Sequence, residues 1–485
     1  MSDELTQKSI GSFVWKTLQS VCSLGITFII QLVLARMLMP EDFGLIAIVN
    51  VFMTLANTII ETSFSSAIIQ REKLSEKMLS SLFYLNIILS FTIYVVLFFV
   101  APLLADFYRE PILVYILRVQ GISVVISAVY SVQLSLMNRK MRFKALFFCY
   151  LAGGIVQAFV GIIMAYRGMG IWSLVVSTCV GSTVTGLSVM IIERWKPEFC
   201  FCFGLVKSAA GFSSKILAIR VVKKIYYNIR VLVIGKVYNA EVLGYFNKGF
   251  QFPSTAMTIV DGSLTSVSFT HLSKLQNDQK NFINSLRQYI RYAMFLTTPI
   301  MVGMALIARP LVLFLLTERW IDCVPYLQIV CLSQLFVPLS IKMTAFESLG
   351  RSDISMKLNL TGIILSIALL FAFLNFDPLV MVFGAVISNA VLQVLVAIVV
   401  TKKLQYSIFE QLKDALCGVL PTVAMCCAVV MIGFVDFNNY YWLEVLVKFF
   451  VGLISFALVS LITKNSAFRS MIKIINDVLR RKKDI

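Results

Sequence analysis

The sequence predicts an all-α integral membrane protein of about 14 transmembrane helices, arranged as two six-helix lobes related by an internal repeat and followed by two C-terminal helices. Three observations lead there. Hydrophobic residues make up 59% of the chain and charged residues only 14%, apolar runs recur along its whole length, and one turn motif occurs twice. A soluble domain carries about 25% charged residues because its surface faces water. A chain of 485 residues with little more than half that supply, and a mean hydropathy of +0.87, cannot cover a water-soluble globule. Each run is near the roughly 20 residues that cross a hydrocarbon core, and no stretch between runs reaches the size of a soluble domain.

Taken in order, the spans are expected near residues 10–36, 43–69, 78–101, 112–136, 146–166, 169–192 and 209–235. They continue near 240–262, 284–308, 321–345, 356–374, 379–401, 414–434 and 441–463. Loop charge tests this order. With the N-terminus inside, the inner loops carry Arg71, Lys73 and Lys77, then Arg139, Lys140, Arg142 and Lys144, then Arg194, Lys196 and Lys207. Later inner loops hold Lys274, Lys280 and Arg287, then Arg351 and Lys357, then Lys402, Lys403 and Lys413. The opposite loops hold Arg36, Arg109, Arg167, Lys236, Arg309 and Arg319. This excess is the positive-inside bias; it places both termini in the cytoplasm and explains the net charge of +18 without nucleic acid. The polar N-terminus, Met1 to Ser12, does not read as a removable signal peptide.

Span seven is the exception to the apolar pattern, with Lys215, Arg220, Lys223, Lys224 and Arg230. Basic residues near the bilayer centre cost about 2.5–3.5 kcal/mol each on insertion scales. Deleting the span would nevertheless invert every later loop and export their basic residues. The span therefore crosses, and its charges face protein or water.

The repeat sets the domain division. Arg36, Pro40-Glu41 and Gly44 reappear as Lys236, Ala240-Glu241 and Gly244, at the turn after span one and again after span seven. A weaker continuation aligns Ala101-Pro102 with Arg309-Pro310, and Asn138-Arg139 with Gly350-Arg351. The expected division is 1–200 for the first lobe, 201–403 for the second, 404–463 for the last two helices and 464–485 for a basic amphipathic cytoplasmic tail. Parallel repeats of six helices are a carrier architecture with the substrate site near the midplane between repeats. A local explanation is that the acidic and glycine positions supply turn chemistry, the carboxylate favouring the following helix N-terminus.

On span seven, Arg220, Lys223, Lys224, Tyr227 and Arg230 share a face by their three- and four-residue spacing. Arg118 in span four and Lys16 in span one extend the candidate anion-binding set. Asn50, Asn57 and Asn228 are candidate polar lining with Tyr227. Lys16, Lys215, Lys248, Arg291 and Lys342 are expected to snorkel toward headgroups. Glu61 and Asp261 are either ion-pair partners or a proton or sodium coupling site. A cavity with surplus positive charge suits an anion, which arginine binds bidentately and lysine as a point charge. No resident cofactor or metal is expected: the ten cysteines lie mostly in apolar runs, and the one histidine, His271, falls in a predicted loop. No catalytic set emerges, so an enzyme is not expected.

The segment Leu34-Ala35-Arg36 through Pro40-Glu41-Asp42-Phe43-Gly44-Leu45 closely resembles the turn after the first helix of Wzx-type polysaccharide flippases. These form the polysaccharide-transport branch of the multidrug/oligosaccharidyl-lipid/polysaccharide exporter superfamily. Ile234-Gly235-Lys236 followed by Leu243-Gly244-Tyr245-Phe246-Asn247-Lys248 resembles the same branch, especially its colanic-acid and teichuronic-acid exporters. The resemblance implies two bundles around a central cavity in a bacterial inner membrane. It also implies transfer of an undecaprenyl-pyrophosphate-linked oligosaccharide, the repeat unit of an O-antigen, capsule or exopolysaccharide, to the periplasmic leaflet by alternating access. Partners implied are the lipid-linked substrate, membrane lipids, and polysaccharide polymerase and chain-length regulator proteins. Related lipid II flippases use a cationic cavity. Many relatives carry an acid where this chain has Arg230, which weakens a coupling role there. The alternatives are a multidrug exporter of the same superfamily, expected to place carboxylates in its cavity, and a membrane-embedded glycan polymerase or ligase, expected to present a large outer loop.

Overall fold

The computed structural model describes residues 2–70, 75–435, 437–438 and 440–472; among these, side chains are described except at 2–14, 61–70, 203–216, 218–219 and 263. Among the described residues the secondary structure is helical, without strands. The first half comprises α1 (Ser2–Met37), α2 (Pro40–Gln70), α3 (Glu76–Tyr108), α4 (Ile112–Arg139), α5 (Phe143–Tyr166), α6 (Trp172–Ile192), α7 (Phe203–Val237) and α8 (Ala240–Lys274). Next come α9 (Gln279–Leu306), α10 (Ala308–Leu315), α11 (Cys323–Gln334), α12 (Ile341–Ser348) and α13 (Ser352–Ala372). The chain continues with α14 (Pro378–Leu404), α15 (Ile408–Ala415), α16 (Val419–Ile432) and α17 (Tyr441–Ile462), and residues 466–472 are again helical.

Twelve helical segments among the described residues are long and apolar enough to cross a membrane, and two of them are the pairs α11–α12 and α15–α16. The chain is a multi-pass membrane protein. α7 and α8, 35 residues each, are longer than the roughly 20 residues a crossing needs, but their polar residues keep them outside that apolar set. The expectation of fourteen spans rests on these two.

Several boundaries differ from the sequence reading for identifiable reasons. The expected continuous span at 321–345 is broken: α11 ends at Gln334, and a 3-10 turn at Val337–Ser340 containing Pro338 leads into α12. Proline has no N–H to continue the helical ladder. The connection between Arg309 and Ile321 is itself structured, as α10 and a 3-10 turn that buries Trp320 completely. His271 lies on α8 rather than in a loop, its ring edge-on to Tyr289 at 5.9 Å. Ser75, Asp278 and Ser407 cap α3, α9 and α15 through their side chains, each accepting from a backbone N–H of the first turn.

Packing divides the chain into two compact units, Met1–Gly244 and Tyr245–Ile485. In the first unit α5 packs on α6 and on α1, α3 on α4, and α7 runs along α2 and touches α3. The repeat division at 200/201 marks where the sequence pattern restarts; the packing division falls one helix later, because α7 packs within the first unit. In the second unit α16 pairs with α17, α13 with α14, and α9 contacts α11, α15 and α16. Its core gathers Phe282, Leu286 and Ile290 of α9 with Ile341, Phe346, Val396, Val400 and Tyr406. At the start of the tail, Phe468 and Met471 pack on Phe295, Met425 and Phe456. Residues 473–485, including Arg480 to Lys483, lie outside the described residues.

The repeat has a local structural counterpart. The chain turns through a left-handed residue after α4, at Met141 (φ 52°), and after α12, at Gly350 (φ 73°). In both turns the next N–H returns to a carbonyl five residues back, Arg142 to Met137 and Arg351 to Phe346. Geometry thus aligns Met141-Arg142 with Gly350-Arg351, three residues from the alignment expected at Asn138-Arg139.

The two copies of the turn motif meet within the first unit. A Cβ on Gly44 would overlap the carbonyl of Ala240, and one on Gly244 would overlap the carbonyl of Pro40. Each glycine thus admits the backbone of the other motif. The acids keep a turn role as well: Glu41 and Glu241 stand in the first turns of α2 and α8, where a carboxylate favours the helix N-terminus. Valine at Gly44 or Gly244 is expected to lower the melting temperature by several degrees, through overpacking of about 1–3 kcal/mol or more, since backbone carbonyls cannot rotate away. Gly25→Ala, where an added Cβ meets nothing within 4 Å, is expected to leave it unchanged. Size-exclusion chromatography after heating reads both.

Candidate functional site

The basic stripe of α7 and a polar face of α2 enclose a cavity of about 520 Å³. α7 contributes Arg220, Lys223, Lys224 and Tyr227; α2 contributes Thr54, Asn57 and Thr58. Both sets follow three- and four-residue spacing, so each lies on one helix face. Among the described residues no carboxylate lines it. Lys223 and Lys224 form no ion pair among the described residues. The described lining thus gathers Arg220, Lys223 and Lys224 with several hydrogen-bonding groups, equipment for holding an oxyanion.

Three sets of contacts fix the walls. On α2, Asn50 accepts from Gln120 Nε2 and Asn57 from Ser127 Oγ, both at 3.2 Å, which joins α2 to α4 by two polar rungs one heptad apart. At the far end of α7, Tyr108 donates to the Leu232 carbonyl at 3.3 Å, and Lys236 donates to the Phe107 carbonyl beneath its own contact with the Phe107 ring. Gly235 rests against Ile48 of α2. Nearby, in the turn between α3 and α4, burial and then the neighbouring Glu41 charge hold the Glu110 carboxyl above the ordinary carboxylate range.

The structure brings together Arg220, Lys223, Lys224, Tyr227 and Asn57 of the expected set and adds Thr54 and Thr58. It leaves the others outside this lining. Arg118 lays its guanidinium over the Phe98 ring at 3.9 Å, with Nε buried and lacking a hydrogen-bond partner. Lys16 is exposed on α1 and donates to Gln19. Arg230 is half-buried further along α7. Asn228 donates back to the Lys224 carbonyl at 2.8 Å, and Asn50 is engaged by Gln120. Asp261, in the second unit, accepts from Thr265 within its own helix. The Glu61 and Lys215 side chains lie outside the described residues.

Snorkelling does not describe Lys248, Lys342 or Arg291. Lys248 and Lys342 are 1% and 3% exposed; Lys248 donates to Gln251 and faces the Trp320 ring. Arg291 pairs with Asp414 at 2.5 Å. Among the ionic groups that the sequence reading missed, two involve buried side chains of the second unit. One is Arg287 and Arg291 with Asp414, Glu410 and Tyr406; the other is Lys448 with Glu444 inside α17. The four-residue spacings Glu410–Asp414 and Glu444–Lys448 were the available signals.

The sequence matches the family described as "Polysaccharide biosynthesis protein" over residues 33–325, a stretch containing both turn motifs and the basic stripe. It is 23% identical over 341 residues to "Succinoglycan biosynthesis transport protein ExoT" of Rhizobium meliloti (strain 1021), covering 70% of this chain and 69% of that protein. It is 21% identical over 354 residues to "Teichuronic acid biosynthesis protein TuaB" of Bacillus subtilis (strain 168), covering 72% and 73%. Among solved structures, "Lipid II flippase MurJ, inward closed conformation" matches with a TM-score of 0.73 at 19% identity, over 92% of this chain and 99% of that chain. This is a likeness of fold.

The electrostatics of the cavity are open to a direct measurement. In a cysteine-depleted background, Thr54→Cys is expected to react several-fold faster with an anionic methanethiosulfonate than with a cationic one, because like-signed walls concentrate counter-ions. Lys223→Ala with Lys224→Ala should reduce that preference severalfold, Arg220 remaining. Equal rates before the lysines are removed would show that the cavity carries no effective positive potential.

Proposed function

The chain belongs to the polysaccharide biosynthesis protein family, and from that premise we propose that it is a flippase for an undecaprenyl-pyrophosphate-linked oligosaccharide of a bacterial inner membrane. The observation that carries this reading is the α2–α7 cavity, which gathers Arg220, Lys223 and Lys224 with no carboxylate among its described lining residues. A diphosphate matches that charge, and its oxygens can accept from arginine, lysine and the Thr54, Asn57 and Thr58 side chains at once. A cationic drug would meet repulsion there, so the multidrug reading has no support from this cavity.

In the proposed cycle the diphosphate enters from the cytoplasmic side, the side on which the positive-inside bias is expected to leave both termini. Arg220 grips it through paired N–H donors; Lys223 and Lys224 neutralise the remaining charge. The cavity then becomes accessible from the other side, the saccharide travels with the head group, and the prenyl chain stays in lipid. No covalent bond forms or breaks. Binding shifts the access equilibrium only by the difference in affinity between the two states; coupling to protons or sodium would supply additional bias. The succinoglycan and teichuronic acid in the names of the relatives support a glycan as the substrate class; the lipid carrier belongs to the proposal.

Each charge-assisted hydrogen bond is worth about 1.5–3 kcal/mol, roughly ten- to a hundredfold in binding. Arg220→Ala with Lys224→Ala is expected to abolish surface polysaccharide and leave lipid-linked repeat units in the cytoplasmic leaflet, while the protein reaches the membrane at normal abundance. Lys224→Arg should retain most export. Normal surface polysaccharide in the double variant would remove this reading.

A further inference from the structure

The second unit contains a separate polar cavity of about 420 Å³ that the transport cycle does not use. The first turns of α9 wall it with Asn284, Arg287, Gln288 and Arg291, and the helical stretch after α17 closes it with Ser466 and Ser470. The positive-inside order places this end of α9 at the cytoplasmic face.

The two guanidiniums are held from behind. Arg287 donates from Nε to Asp414 Oδ2 at 2.8 Å and from Nη1 to Glu410 Oε1 at 2.5 Å. Arg291 donates from Nε to Asp414 Oδ1 at 2.6 Å, and its Nη2 lies 2.5 Å from the same oxygen. The Asp414 side chain is 0% exposed and also accepts from Tyr406 at 2.7 Å. Both carboxylates belong to α15, and neither lines the cavity. Each arginine keeps one terminal nitrogen, Nη2 of Arg287 and Nη1 of Arg291, without an acceptor among the described residues. The opposite wall is fixed too: Asn465 donates to the Cys417 carbonyl at 2.6 Å, and the Cys417 thiol reaches the Arg291 carbonyl.

We propose that this cavity binds the phosphate of an anionic phospholipid headgroup in the cytoplasmic leaflet. Arg287 and Arg291, one helical turn apart, are neighbours on the same face and bridge the phosphate with their remaining N–H donors, while Ser466, Ser470, Asn284 and Gln288 supply neutral hydrogen bonds. The buried Asp414 sets the orientation of both arginines beforehand, which removes the ordering cost of two long side chains. Below the polar walls, Phe468 and Met471 join the apolar core at Phe295 and Phe456, so the ligand's head meets donors where its chains can remain in hydrocarbon. Glu410 and Asp414 balance the charge of the two guanidiniums, so the phosphate is held by directed N–H donors rather than by net charge.

The test uses the purified full-length chain in detergent, with thermal unfolding as the readout. Short-chain phosphatidylglycerol is expected to raise the melting temperature by about 3–5 °C through preferential binding to the folded state, and phosphatidylcholine by much less. Gln288→Glu places a carboxylate in the cavity without touching the arginine–carboxylate pairs, and Ser470→Trp fills it; each should remove most of the phosphatidylglycerol shift. Inorganic phosphate should compete with the lipid at millimolar concentration while giving a smaller shift alone. A phosphatidylglycerol shift that is absent, or undiminished in Gln288→Glu, overturns the proposal. An equal shift from inorganic phosphate alone overturns the lipid assignment. Export of polysaccharide is not the readout, so failure here is separable from failure of the flippase reading.

Discussion

The architecture of the first unit turns on one constraint: the cations of α7 cannot be left against hydrocarbon. Their desolvation would cost more than the apolar residues of the same helix return. α7 therefore needs a polar neighbour, and α2 provides one along Thr54, Asn57 and Thr58. The close crossing of Gly44 and Gly244 with Ala240 and Pro40 brings the two motifs to backbone contact, and the ties of Tyr108 and Lys236 fix the end of α7. The cavity is what remains where α2 and α7 face one another through polar side chains.

Small residues perform comparable work elsewhere in this unit. Gly153 and Gly161 on α5 meet Gly181 and Ser177 on α6 so closely that an added Cβ would press on the opposite helix. In a bilayer, where water does not drive helices together, such close approach supplies the dispersion contacts that hold them. The close α5–α6 contact and the α2–α7 cavity are built from different helices.

Much of this was legible in the sequence. Hydropathy and loop charge located the membrane segments, the repeated Glu-x-x-Gly turn located two equivalent corners, and the family match bears out the resemblance read from those corners. The spacing Arg220, Lys223, Lys224, Tyr227 defined a face that the structure keeps together. Thr54 and Thr58 were illegible because an apolar helix does not announce which side meets α7. Arg118 was grouped with the stripe by depth and Lys16 by its charge, and neither says anything of direction around the helix axis. The Arg287–Asp414 network joins residues 127 positions apart, a distance no local pattern spans, and the break at Pro338 was hidden inside a run whose mean hydropathy is that of one span.

The rungs between α2 and α4 carry a mechanical consequence. Asn50 and Asn57, like their partners Gln120 and Ser127, are spaced by seven residues, two helical turns on each rod. Sliding by one turn would unmake both links together and leave the buried Gln120 amide without its partner, so these two helices behave as a riveted plate. If the vestibule changes shape during a turnover, the yielding wall is the rod bearing the cations, while the threonine wall serves as the anvil.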